Sequence, residues 1–471
     1  MTPSLKIYSM LLVAPLAALH AADPATPAKK TNVIILLADD LGYADLGCQG
    51  SKEVVSPNID SIAANGVRCT AGYVTAPQCC PSRAGLLTGR YQNRFGFEAN
   101  PGPAAEPTAG LPVSERTIGD RMKASGYVTG MIGKWHLGRT EEFRPYNRGF
   151  DETFWSPNGG VLFPQKKTGS LKDIFRGPNP VQEPEYSTDA FAREAVSFID
   201  RHQNAPFFLY VAFVPPHWPM EAKPEDLAKF SHIPDLHRRT MLAMMASLDD
   251  NVGRVLNKLR ETKLEENTLV FFLSDNGGPT GKARPQPDAD FEYGQNTSKN
   301  DPCRGVKGQV LEGGIRIPFL AQWKGHIPAG STYDKPVISI DITPTALSIA
   351  GAEKSAIGSG LDGTNILPYL TGIKTGEAHD SLFWRFRFPP GRPDLHRWAI
   401  RKGDWKLVKD GENKPALYRV STDISESKDL SAEKPEVVAS LSEEWKRWDA
   451  ENKEPLWDRP LKNELKPAPA K

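Results

Sequence analysis

Cys79 and Cys80 stand directly before Pro81, Ser82 and Arg83, and a short apolar run then ends in Thr88, Gly89 and Arg90. Pro81 suits the first turn of a helix, where its missing N–H costs nothing. Cys79 would then lie at a helix N-terminus, where free N–H groups and the helix dipole favour an anion. Arg83, four residues on, can reach back to the same spot. The pattern describes an electrophilic or nucleophilic group held over an anion site. A buried thiol pair, or a redox pair at a helix start, is the plainer alternative.

Other chemistry-bearing residues sit at the ends of apolar runs. Asn32 to Asp40 is continuous and apolar until Asp39 and Asp40. Two adjacent carboxylates repel, so they are costly unless a cation lies between them; a solvated turn is the alternative. Asn267 to Gly278 repeats the design and ends in Asp275 and Asn276. Together these four offer hard oxygen ligands, which suit Ca²⁺ better than zinc or copper. No His/Cys spacing for zinc occurs. Lys134 and His136, two apart at a strand end, would face one side. A cation and a titratable imidazole there suit sulfate binding and proton transfer. Prolines around His217 would fix it at the mouth, and its neighbour Trp218 reads as packing rather than as a sugar platform. Lys307 is the cation placed on the substrate, and Gly313-Gly314 allows close backbone approach. Arg94 and Glu98 are exposed candidates on a rim loop, with a plain surface loop the favoured reading of either. Arg385, Arg387, Arg392 and His396 could fold over the pocket and grip an anionic sugar, with solvated charge an equal reading.

These residues need strands to deliver them. Long apolar runs bounded by polar ends fit strands buried on both faces of a parallel sheet. Such runs are 32–40, 127–133, 206–214, 267–278 and 317–323, and a further strand is read over 67–74. Helices are expected over 57–65, 117–125, 188–203, 235–262 and 343–350. Residues 140–185 read as irregular. After about residue 375, short alternating strands (382–386, 398–401, 405–409, 417–420) precede a helix over 435–450, which makes a small antiparallel sheet with one helix.

The chain has 471 residues and a formal net charge of +1. That length implies a large domain plus a smaller one, and the near-neutral charge gives no reason to expect nucleic acid. Residues 1–22 read as a signal peptide, 23–30 as a flexible leader and 456–471 as a tail, with domains at 31–375 and 376–455. No later segment is long and apolar enough to span a membrane. Export to a bacterial periplasm or beyond is the expectation. Five cysteines are too few for a disulfide scaffold, though one bridge remains open.

The stretch from Cys79 resembles the signature of type I sulfatases, Cys-x-Pro-Ser-Arg-x-x-x-Leu-Thr-Gly, at every fixed position: Cys79, Pro81, Ser82, Arg83, Leu87, Thr88 and Gly89. The likeness extends, in order, to Asp39-Asp40, Gly133-Lys134-Trp135-His136-Leu137-Gly138, Pro215-Pro216-His217, Asp275-Asn276-Gly277-Gly278 and Lys307 through Gly314. The resemblance implies an alkaline-phosphatase-like fold, a large mixed sheet sandwiched by helices. It implies that Cys79, not Cys80, is oxidised to formylglycine by a formylglycine-generating or anaerobic maturation enzyme. Ca²⁺ would be held by Asp39, Asp40, Asp275, Asn276 and the modified Cys79. Arg83 would hold the formylglycine, and Lys134, His136, His217 and Lys307 would surround the sulfate. His217, with Lys307, would protonate the leaving alcohol, and His136 would take a proton from the formylglycine hydrate. Similarity to N-acetylgalactosamine-6-sulfatase-like and polysaccharide sulfatases implies a sulfated glycan substrate. A phosphate ester or phosphonate hydrolase on the same scaffold, or a glycan-binding pseudoenzyme, are the alternatives.

Overall fold

The computed structural model describes residues 1, 30–101, 108–158, 174–279, 296–352, 360–387 and 395–457. The expected signal peptide beyond Met1, most of the leader, Arg392 and the tail from residue 458 lie outside them. Twelve strands come first: β1 (Asn32–Asp39), β2 (Val67–Cys69), β3 (Gly72–Tyr73), β4 (Val128–Lys134), β5 (Glu152–Ser156), β6 (Ile174–Arg176), β7 (Asn179–Val181), β8 (Phe207–Pro216), β9 (Thr268–Ser274), β10 (Phe319–Gln322), β11 (Ser331–Tyr333) and β12 (Val337–Ile338). Ten form one sheet in the order β11-β2-β10-β9-β1-β8-β4-β5-β6-β7, while β3 pairs with β12. The centre, from β9 to β5, is parallel. β10 runs antiparallel to both its neighbours, and β6 and β7 form an antiparallel edge, so the sheet is mixed.

The apolar runs explain the centre. Every residue of β1, β8 and β9 is buried, as strands covered on both faces require. Val33, Ile35 and Leu37 face one core, and Ile34, Leu36 and Ala38 face the other, in the two-residue alternation of a strand. Helices Pro57–Ala64, Ser187–Arg201 and Leu236–Glu261 cover the second face. Helices Cys79–Thr88, Ile118–Ala124 and Ile342–Ile349 cover the first. A buried Leu, Ile or Phe side chain contributes about 1.5–3 kcal/mol, so the central strands are held firmly where they end. All six expected helices, the one at 435–450 included, have each end within two residues of its expected place.

Two expectations fail. The single strand over 67–74 is two short strands, β2 and β3, which pair in different sheets. Residues 140–185, read as irregular, contain β5, β6 and β7. Strands of two to five residues are too short for alternation to be legible.

The second sheet is β13 (Ser381–Phe386), β14 (Arg397–Lys402), β15 (Trp405–Lys409) and β16 (Ala416–Arg419), an antiparallel meander. Helix Pro435–Asp449 packs on it, with Trp445 stacked on Trp398 at 4.6 Å between ring centroids and Trp448 on Phe383 at 5.0 Å. Its junction with the main domain is charged and buried. Lys406 Nζ donates to Glu312 Oε1 at 2.8 Å and lies 2.9 Å from Glu426 Oε1, all three side chains at zero exposure. Glu312 also accepts from Tyr73 Oη at 2.7 Å and from Arg316 at 3.0 Å, and Arg401 donates to the same tyrosine oxygen at 2.6 Å. No helix among the described residues is long and apolar enough to cross a membrane.

Replacing Lys406 with Met would leave two buried carboxylates without their shared cation. A loss of about 3–5 kcal/mol in unfolding free energy is expected, read by urea titration. A loss below about 1 kcal/mol would show that the junction does not depend on this ion pair.

Candidate active site

Four adjacent parallel strands end at one place. β1 ends at Asp39, and the chain turns at Asp40 with a left-handed φ of 64°. β9 is followed by Asp275 and Asn276, β4 ends at Lys134, and β8 is followed by His217. The carboxyl ends of strands in open α/β sheets are where active groups gather. Helix Cys79–Thr88 starts beside them, with Cys79 as its first residue. Lys307 enters from the loop before Gly313-Gly314 and donates its backbone N–H to Gly278 O at 3.1 Å.

The side chains interlock. Lys134 Nζ is 2.5 Å from Asp39 Oδ2. Lys307 Nζ is 2.6 Å from Asp40 Oδ1 and 3.1 Å from Cys79 Sγ. Cys79 Sγ is 3.6 Å from Asp39 Oδ1. Arg83 grips Asp275 Oδ2 through Nε at 2.9 Å and Nη2 at 2.7 Å, lies 3.5 Å from Asp39, and donates to the Lys134 carbonyl at 3.1 Å. Asn276 Nδ2 donates to Asp40 Oδ1 at 2.7 Å, and the Asp40 N–H donates to Asp275 Oδ1 at 3.1 Å. His217 Nε2 is 3.7 Å from Asp40 Oδ2. Asp39, Cys79, Arg83, Lys134 and Asn276 have no exposure, whereas the side chains of His217 and Lys307 keep 21% and 18%. Those two mark an open edge.

Burial and charge set the protonation states. Burial would raise Asp39, but His217, Lys134, Arg83 and Lys307 hold its carboxyl well below the usual range. Burial and the charge on Asp39 lift Asp275 to about 6, against Arg83 and Lys134. Burial disfavours the charge on Lys307, yet Asp40, Cys79, Asp39 and Asp275 raise its ammonium well above the lysine range. Burial presses His217 down to about 4 against the pull of Asp39, and it presses His136 well below the histidine range with Lys134 and Arg83 adding to it. Burial pushes the Cys79 thiol up to about 12, although Lys134 and Lys307 oppose it.

Residues 31–352 match the family model described as Sulfatase, and residues 306–451 match one described as N-sulphoglucosamine sulphohydrolase, C-terminal. The chain belongs to the sulfatase family. N-acetylgalactosamine-6-sulfatase of Canis lupus familiaris is 34% identical over 430 residues, 86% of this chain and 78% of that protein. Arylsulfatase A of Homo sapiens is 33% identical over 459 residues, 88% of this chain and 82% of that one. The solved structure of Ps i-CgsB in complex with k-i-k-neocarrahexaose superposes with a TM-score of 0.83 at 34% identity, covering 92% of this chain and 96% of the other. This sulfatase is therefore a sulfuric ester hydrolase, and its large sheet with a separate small one is the alkaline-phosphatase-like fold expected.

The sulfatase brings Asp39, Asp40, Cys79, Arg83, Lys134, His217, Asp275, Asn276 and Lys307 together, and His136 faces the same charges. His136 is not on an extended segment with Lys134: it follows the end of β4 at a left-handed φ of 62°. Gly313-Gly314 does meet backbone closely, since a Cβ on Gly314 would lie 2.0 Å from Gln309 O. Other expectations are corrected. Glu98 is buried against Arg385, which also pairs with Asp449 at 2.7 Å. Arg94 pairs with Asp362 and Glu451, and Arg387 with Asp449 and Glu454. The Glu98–Arg385 and Arg94–Glu451 pairs tie the C-terminal segment to the main domain. Trp218 is 45% exposed and so is not packed away. All five cysteines are free.

Sequence reasoning missed the polar loop 296–300. Ser298 Oγ donates to Asp40 O at 3.0 Å, and Asn300 exchanges two 2.9 Å hydrogen bonds with the Gly278 backbone. Nothing in the residue pattern marks that loop, because its partners are more than twenty positions away. A cavity of about 770 Å³ lies behind it, between Arg304, Gly305, Asp410 and Tyr418, but none of the clustered residues lines it.

Two outcomes are expected. In the unconverted folded chain, a thiol at about 12 has a thiolate fraction of roughly 10⁻⁴ at pH 8. Iodoacetamide should therefore spare Cys79 until the chain is unfolded, as peptide mapping would show. Arg83→Met should cost about 3–5 kcal/mol by stranding Asp275 and Asp39, and adding Asp275→Asn should recover part of it. Simple additivity of the two losses would argue against the pairing.

Proposed function

We propose that this sulfatase removes sulfate ester groups from a sulfated carbohydrate, an oligosaccharide or polysaccharide, using formylglycine made from Cys79 and a calcium ion. The observation that carries the reading is Cys79 itself. It is fully buried among Lys307, Asp39 and Lys134, and its thiol is held too high to be a thiolate at neutral pH. A nucleophile is in place, yet the cysteine form is inert. Conversion to formylglycine would supply a hydrated aldehyde whose hydroxyl attacks sulfur. A maturation enzyme, formylglycine-generating or anaerobic, must act before the chain folds around Cys79.

The donor set fits a hard cation. Asp39, Asp40, Cys79 and His217 present ligand atoms within 4.8 Å of one another. Asn276 Oδ1 is buried without a hydrogen-bond partner beside them. We assign Asp39, Asp40, Asp275, Asn276 and the converted Cys79 as the ligands; the oxygens favour Ca²⁺. Bound there, it would polarise a sulfuryl oxygen and balance growing negative charge.

The remaining roles belong to the chain's own side chains. Arg83 holds Asp275 and keeps the turn after β9 in place. Lys134 and Lys307 face the site with charges that stabilise the sulfuryl oxygens. His217 Nε2 protonates the leaving alcohol. His217 titrates near 4 in the free site, and the negative ester arriving beside it favours the imidazolium. His136, kept neutral, would take the proton of the hydrate's second hydroxyl as sulfate leaves and the aldehyde re-forms. The carbohydrate class is supported by the names of the relatives, an N-acetylgalactosamine-6-sulfatase and a protein solved with k-i-k-neocarrahexaose. A polysaccharide-degrading bacterium that exports the chain to its periplasm or beyond would use it on such sugars.

Peptide mass spectrometry across Cys79, on chain made beside a maturation enzyme, should find the aldehyde or its hydrate. Cys79→Ala should lower sulfate release by about 10³-fold or more, and a calcium chelator should do so reversibly. Full turnover by the alanine variant would overturn the reading, and faster release of phosphate than sulfate from esters of one alcohol would reassign the substrate.

A further inference from the structure

Trp218 is the one aromatic residue among the described residues with more than a third of its surface exposed. It sits at the open edge of the site, directly after His217. Every other clustered side chain except His217, Lys307 and His136 is buried, so an ester reaches the centre across this edge.

The turn that presents Trp218 is braced. Prolines flank His217 and Trp218 on both sides, and Asn296 Nδ2 donates to Pro216 O at 2.7 Å. Pro219 and Met220 beyond it are buried. His217 Nδ1 lies 2.5 Å from the Trp218 carbonyl oxygen, which can only accept, so Nδ1 carries the proton and Nε2 faces Asp40. One short segment therefore fixes the imidazole and the backbone that carries the neighbouring indole. An aromatic side chain on a braced backbone has less freedom to lose on binding.

We propose that Trp218 is the platform for the leaving sugar. Its indole stacks on the apolar C–H face of the pyranose ring whose hydroxyl oxygen carries the sulfate, and so aims that oxygen at His217 Nε2. The inference rests on the carbohydrate reading above and adds which side chain recognises the ring. Trp218 acts on the sugar and not on the sulfate, so its removal weakens sulfated sugars selectively.

The test compares a sulfated oligosaccharide with propyl sulfate, which has no ring to stack. Trp218→Ala should lower the ratio of kcat/KM for sugar over propyl sulfate about tenfold, mainly through KM, and Trp218→Phe should restore most of it. In the Cys79→Ala background, where turnover is abolished, calorimetry should show the Kd for the sulfated oligosaccharide rising about tenfold on Trp218→Ala. An unchanged ratio and unchanged Kd would overturn the platform while leaving the carbohydrate reading intact. Equal losses on both esters would also overturn it, since they indicate a displaced His217. A parent chain that binds and desulfates no sulfated sugar would overturn both.

Discussion

Three carboxylates and three cations are packed at one end of the sheet, all but Lys307 buried. Asp39, Asp40 and Asp275 repel one another, and Lys134, Lys307 and Arg83 each answer one of them at 2.5–2.7 Å. At such separations, with an effective dielectric near 20, a unit charge pair is worth about 4 kcal/mol or more, and an unanswered charge costs a comparable amount. None of the six can leave without stranding another. The register of the parallel strands is therefore part of the chemistry. Asp39, Lys134, Asp275 and His217 come from four neighbouring strand ends, and a one-residue slip of any strand would turn its terminal side chain to the opposite face. The unbroken apolar runs of β1, β8 and β9 prevent that slip.

The small sheet reaches this cluster through backbone rather than through charge. Lys406 and Glu426 fix Glu312, which opens the short turn Glu312–Ile315. Gly313 and Gly314 follow. Gly313 N–H donates to Arg304 O at 2.7 Å, and Gly314 O accepts from Gly277 at 3.1 Å, next to Asn276. The spacing leaves no room for side chains: a Cβ on Gly277 would lie 1.9 Å from Gly313 O. The same loop carries Lys307. Docking of the second sheet is thus transmitted to both an amide and an ammonium of the site, which gives the buried salt bridge a role in positioning besides stability.

The strand ends were legible because each clustered residue there closes a run of apolar residues, and such runs have few other uses in a chain of this composition. Asp39, Lys134, His217 and Asp275 could be found that way. Cys79 and Lys307 are not at strand ends and were found from local motif and family likeness. What was misread depended on partners far along the chain. Arg385 and Glu98 are 287 positions apart, and each alone looks like a solvated charge. The Lys406 network joins four distant segments and leaves no periodic trace. His136 looked extended because its neighbours are strand-like, but the chain turns left-handed there to bring the imidazole beside Lys134.

The balance of charge bears on why a cation and an anion would enter this site together. With Asp39, Asp40 and Asp275 ionised against Arg83, Lys134 and Lys307, three negative charges meet three positive ones, and both histidines are neutral. A monoanionic sulfate ester entering such a site would lose its hydration for no net charge in return. A divalent cation among the carboxylates would leave an excess of two positive charges, and the ester would then be drawn in and still leave one. That remaining charge is suited to the transition state, where negative charge grows on the leaving oxygen and on the nucleophile.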